Sequence, residues 1–88
     1  MEIKKYAFAG TMESSDVYVE IEPFDKGIKI ELESVVEKQF GDRIINAVSK
    51  VLDEQSVKNA LVRVVDRGAL ECVICAKVET AIIRGSEE

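Results

Sequence analysis

The chain has 88 residues, enough for one domain with a modest core and too few for two. A composition of 47% hydrophobic and 33% charged residues is that of a folded globular protein and excludes a disordered one. Seventeen acidic against twelve basic residues leave a net charge of -5 with no basic cluster, which excludes a phosphate-backbone binder, and the lack of any histidine removes the usual general base and the commonest metal ligand.

No apolar run approaches the ~20 residues that cross a bilayer, and Met1-Glu2-Ile3-Lys4-Lys5 has no apolar signal core, so the expectation is a cytoplasmic protein without membrane or nucleic-acid partners. Residues 3–9 read as an extended segment of weak alternation that Gly10 stops. Gly10-Thr11-Met12-Glu13-Ser14-Ser15-Asp16 then sets two small hydroxyls between two acids, just before a strand. From the residues alone this is either a polar turn whose side chains bond nearby amides or a place where a serine carries a covalent group into solvent. If the pleat of the next strand extends backwards, Ser15 takes its inward parity and Ser14 its outward one; a turn at 13–16 would void that distinction.

Val17, Val19 and Ile21 alternate with Tyr18, Glu20 and Glu22, as in a half-buried strand. Pro23 and Asp25-Lys26-Gly27 supply a reversal, and Ile28, Ile30 and Leu32 alternate with Lys29, Glu31 and Glu33. Segments 17–22 and 28–33 therefore read as an antiparallel hairpin whose wet face carries Glu20, Glu22, Glu31 and Glu33. That face suits solvent and protection against edge-to-edge association, and it is also able to dock a basic partner.

Ser34-Val35-Val36-Glu37 has capping-box spacing, so a helix should start there. Val36, Phe40, Ile44, Ala47, Val48, Val51 and Leu52 form its apolar stripe, with Phe40 and Ile44 expected in the core. Gly41 implies either a close neighbour or an interruption of the helix. Residues 61–65 read as a β-branched strand, Asp66-Arg67-Gly68 as a turn, and 69–83 as a long final strand paired with 61–65, from the shared parity of Leu70, Cys72, Ile74, Ala76, Val78 and Ile82. Cys72 and Cys75 would then point to opposite faces as small apolar side chains, with no partner set for a metal site. Residues 85–88 read as a solvated tail on a single domain spanning 1–88. The expected fold is α+β: an antiparallel sheet of about five strands with one long helix on one face, in the order β-β-β-α-β-β.

Ala9-Gly10-Thr11-Met12-Glu13-Ser14-Ser15-Asp16, Ile21-Glu22-Pro23, Ile30-Glu31-Leu32-Glu33-Ser34, Val36-Glu37-Lys38-Gln39-Phe40-Gly41, Val64-Val65-Asp66-Arg67-Gly68-Ala69-Leu70 and Val78-Glu79-Thr80-Ala81 together resemble the citrate lyase acyl carrier protein (gamma subunit) family over nearly the whole chain. The resemblance implies a non-catalytic carrier that is not a four-helix carrier protein. It also implies 2'-(5''-phosphoribosyl)-3'-dephospho-coenzyme A attached through a phosphodiester, which carried over falls on Ser14. Met12 stands where leucine is the more usual residue. Implied partners are the alpha (acyltransferase) and beta (lyase) subunits, which use acetyl and citryl thioesters of the arm to cleave citrate to oxaloacetate and acetate. A holo-carrier transferase and an acetate ligase acting on the arm thiol complete the set. Glu13, Ser15 and Asp16 are candidates for fixing the turn or docking the transferase; no histidine, lysine or arginine lies between residues 6 and 25 to activate Ser14. The alternatives are the related malonate decarboxylase carrier, a protein-interaction domain using the acidic face, and a small redox protein using Cys72 and Cys75.

Overall fold

A computed structural model describes residues 1–87 as three strands, β1 (Ala7–Gly10), β2 (Val17–Glu22) and β3 (Ile28–Ser34), helix α1 (Glu37–Glu54), strand β4 (Ala60–Asp66) and helix α2 (Glu71–Ser86). The α+β class holds. The sheet has four strands in the order β1-β2-β4-β3 and is mixed: β1–β2 and β2–β4 are antiparallel, β4–β3 parallel. Segments 17–22 and 28–33 are both strands, but they are not hairpin partners. The apolar stripe of α1 has to lie on the sheet to be buried, so the chain crosses over and returns parallel to β3, and β4 enters between the two. Their alternation is unchanged by that insertion, since each still has one buried face.

β4 is central and looks it: Val62 and Val64 are fully buried on one face, while Leu61 and Val65 half-cover the other. Both helices pack on the same face of the sheet, α2 over β1 and β2, α1 beside β3 and against α2. Val17, Val19, Ile21, Val62 and Val64 meet Val48, Leu52, Ile74 and Ile82 in one core. Fully burying such side chains contributes about 1.5–3 kcal/mol each.

The run 69–83 is helical, a correction to the fifth strand. Leu70, Ile74, Val78 and Ile82 are spaced by four, which satisfies strand parity and also repeats on one face of a helix. Ile74, Val78, Ala81, Ile82 and Gly85 are the buried set, spaced as a helix requires. The fifteen-residue span is itself too long for an ordinary strand. Gly85 and Ser86 are the last turn of α2 rather than tail, and the Gly85 carbonyl accepts the amides of Lys4 at 2.8 Å and Lys5 at 3.2 Å. The tail reading at residue 88 lies outside the described residues.

The capping box does not form. α1 begins at Glu37 after Val36, without a side-chain cap. The Ser34 hydroxyl instead accepts the Val36 amide at 3.1 Å and donates to Asp66 at 2.8 Å. Ile44 is 6% exposed and in the core, whereas Phe40 is 46% exposed and is not. The helix runs unbroken through Gly41, which is buried beside Leu32. A methyl group there would meet only the flexible Glu37 side chain at 3.3 Å and Leu32 at 3.9 Å. Gly41→Ala should therefore stabilise the protein by up to about 1 kcal/mol, read as a higher urea midpoint at unchanged slope. A lowered midpoint would mean that Glu37 does not yield.

Candidate functional site: the 10–16 turn

The sheet directions bring the C-terminal ends of β1, β3 and β4, the start of β2 and the N-termini of both helices to one end of the molecule. The turn between β1 and β2 stands there. The Asp16 amide donates to the Glu13 carbonyl at 3.1 Å, which makes residues 13–16 a β-turn. Ser15 at its third position has φ +66°, while Ser14 at the second has no positive φ. This is the type II signature, and the third position is one that glycine normally fills.

The same Ser15 forms a β-bulge against β4's extension. Its amide donates to the Arg67 carbonyl at 2.8 Å, and the Arg67 amide donates to the Asp16 carbonyl at 2.9 Å, so two residues oppose one. Asp16 closes the loop from within: Oδ2 accepts the Thr11 hydroxyl at 2.6 Å and Oδ1 the Val17 amide at 2.7 Å. The Thr11 hydroxyl also accepts the Glu13 amide at 3.2 Å. Those bonds, the Thr11 one first, hold the Asp16 carboxyl below the usual carboxylate range. The clasp is therefore intact at neutral pH and is lost only as pH falls through that lowered value.

Asp66 supports the turn from below. It is 1% exposed, and its Oδ1 accepts the amides of Gly68 at 3.1 Å and Ala69 at 2.9 Å while Oδ2 accepts the Ser34 hydroxyl. The residues that opposed the turn in sequence, Arg67 and Gly68, are thus fixed by an acid buried at the end of the central strand. Sequence reasoning took Asp66-Arg67-Gly68 as a turn and missed this hub. An aspartate whose side chain accepts amides two and three residues ahead is the signal that was there to be used.

The turn at 13–16 voids the parity distinction between the serines, because Ser14 and Ser15 are both exposed. Neither hydroxyl makes a hydrogen bond among the described residues, whereas both oxygens of Asp16 are occupied and are not free to act as a base for Ser14. Glu13 is exposed and supplies the turn's carbonyl. A groove of about 860 Å³ beside Met1, Phe24, Lys58 and Asn59 lies at the opposite end of the sheet from the exposed Ser14.

Two other candidates change with the fold. Cys72 and Cys75 are one turn apart on α2 instead of on opposite faces of a strand. Burial pushes the Cys75 thiol up, away from the thiolate that redox exchange needs. The four hairpin carboxylates share the open face of the sheet, but with β4 between them: Arg63 reaches Glu22 at 3.3 Å and Glu31 at 3.1 Å, and the Tyr6 hydroxyl donates to Glu20.

Comparison with known proteins bears on the fold and the family. The acyl carrier (ACP) family model described as "Malonate decarboxylase delta subunit" matches residues 4–85. The chain is 48% identical over 87 residues to the citrate lyase acyl carrier protein of Halothermothrix orenii, covering 99% of this chain and 93% of that one. It is 49% identical over 84 residues to the protein of that name from Oenococcus oeni, covering 96% and 87%. Among solved structures, a chain in the crystal structure of a Pseudomonas malonate decarboxylase hetero-tetramer with malonate superposes with a TM-score of 0.81 at 23% identity, covering 93% of this chain and 84% of that one. That likeness is one of fold.

Proposed function

This chain belongs to the acyl carrier family that includes the citrate lyase acyl carrier proteins, and from that membership we propose that it is the carrier subunit of a citrate lyase, loaded on Ser14. The observation that carries the site is the exposed Ser14 at the outer corner of a clasped type II turn, with its hydroxyl unengaged among the described residues. A phosphodiester link to 2'-(5''-phosphoribosyl)-3'-dephospho-coenzyme A fits that corner, since the hydroxyl is accessible and the loop around it is already bonded. When attached, the group supplies a terminal thiol that holds an acyl group as a thioester for the alpha acyltransferase and beta lyase subunits.

The chain's own residues present and do not react. Thr11 and Asp16 hold the turn, and Ser15 and Arg67 tie it to the end of the central strand, which gives the arm a bonded origin. Tethering makes each encounter with a partner subunit intramolecular and raises the effective concentration. Because no base among the described residues is hydrogen-bonded to the Ser14 hydroxyl, a separate holo-carrier transferase installs the group, and an acetate ligase recharges its thiol; all of this belongs in the cytoplasm.

The intact mass of the chain after coexpression with the transferase tests this reading. The wild-type protein should gain the mass of the group and Ser14→Ala should gain nothing. A gain that survives in Ser14→Ala and disappears in Ser15→Ala would move the site. The family description and the fold likeness favour one second reading, the malonate decarboxylase carrier. Citrate-dependent acetyl exchange in the reconstituted complex separates the two, and exchange with malonate in its place would select the second.

A further inference from the structure

The left-handed backbone at Ser15 is the one strained position in the turn, and it is not glycine. A serine there carries the steric penalty of its Cβ at a place where the turn and the bulge both favour glycine. Strain kept at a candidate site points to a use for the side chain. That side chain is a hydroxyl with no partner among the described residues, next to Ser14.

Across the bulge stands Arg67, bonded through its backbone to both Ser15 and Asp16. The other three arginines are all engaged: Arg43 with Glu71 at 3.0 Å, Arg63 with Glu22 and Glu31, and Arg84 with the Phe8 carbonyl at 2.9 Å. The Arg67 side chain is exposed and has no hydrogen bond or ion pair among the described residues. The backbone bonds therefore start an unengaged fork of N–H donors at Arg67, directly across from Ser15 and Asp16, and Ser15 adds a spare hydroxyl donor next to Ser14. That donor set suits the two unesterified oxygens of a phosphodiester, one negative charge shared between them.

We propose that Ser15 and Arg67 are positioning residues that bind the phosphodiester on Ser14 and so set the direction in which the arm leaves the protein. The inference rests on the carrier reading above. Arg67 supplies charge-assisted hydrogen bonds through its guanidinium, and the Ser15 hydroxyl donates to a phosphate oxygen; the strain at Ser15 is tolerated because glycine has no hydroxyl to give.

Nitrogen-15 NMR of the wild-type chain before and after loading tests it without any variant. The Arg67 Nε–H resonance should shift and its exchange with solvent slow at least several-fold on loading, and raised salt should weaken both effects. Phosphorus-31 NMR of loaded variants then separates the hydroxyl from the strain. Ser15→Gly should raise the urea midpoint and Ser15→Ala should leave it nearly unchanged, yet both should move the phosphodiester resonance toward its position in the urea-unfolded chain. Arg67→Gln should do the same and Arg67→Lys only part of it. An Arg67 Nε–H signal indifferent to loading overturns the inference, as does a phosphorus shift that follows the stability of the Ser15 variants instead of their lost hydroxyl. A wild-type chain that gains no mass overturns the carrier reading itself, and this inference with it.

Discussion

Gly10→Ala should cost about 3 kcal/mol or more, a large part of the ~5–15 kcal/mol that holds a domain of this kind together. Gly10 has φ +88°, and a Cβ built on it would lie 1.8 Å from the Val17 carbonyl oxygen and 3.0 Å from its carbon. That carbonyl accepts the Thr11 amide at 3.2 Å, so the first bond of the loop is the one displaced. Two penalties combine, a left-handed alanine and a backbone that has to move. Gly27→Ala provides the control, since Gly27 also has φ +88° with nothing within 4 Å of the added methyl. It should cost only about 1 kcal/mol. Urea unfolding at unchanged slope measures both, and equal midpoints for the two variants would remove the argument from contact. Because Thr11 leads directly into the clasp with Asp16, Gly10→Ala should also slow the proposed loading of Ser14 in whatever fraction stays folded.

Elements with a strict period were readable from the residues. β2, β3 and β4 each expose their alternation, and α1 has a stripe of Ile44, Val48, Val51 and Leu52 that no strand would produce. What misled was ambiguity of period and of pairing. In α2 a spacing of four imitates strand parity, and the burial of Ala81 and Gly85 on the odd positions is what only the folded chain reveals. The hairpin of 17–22 with 28–33 failed because alternation records which face is dry and says nothing about the neighbour; the helix that follows decides it. At the site, Gly10 to Asp16 stood out as a polar turn before a strand, and that much was visible. The strain was not, because Ser15 is not the residue such a turn normally uses. Asp66 was hidden for the opposite reason: aspartate is ordinarily exposed, and its burial depends on three donors that arrive from β3 and from the loop ahead.

Those three donors make Asp66→Ala the other variant of large effect. Alanine would leave the amides of Gly68 and Ala69 and the hydroxyl of Ser34 without their acceptor at a position 1% exposed. An unsatisfied buried donor costs about 1–3 kcal/mol, and the exposed side of Gly68 recovers part of that from water, so the expected loss is about 3–4 kcal/mol. Asp66→Asn keeps one carbonyl oxygen for the two amides and offers its own amide to the Ser34 hydroxyl, so it should cost about half as much. The two should also part at the Ser14 turn. Arg67 follows Asp66 directly and holds the Ser15 amide through its carbonyl, so losing the anchor frees the strand against which the bulge is formed. Hydrogen exchange at the Ser15 amide should rise sharply in Asp66→Ala under conditions where the core amides of Val62 and Val64 stay protected, and only slightly in Asp66→Asn. Equal midpoints for the two variants, with Ser15 exchange unchanged in both, would mean that the buried carboxylate does not organise the turn. If instead Ser15 opens while the core holds, the proposed attachment point is coupled to the sheet through one side chain at the end of its central strand.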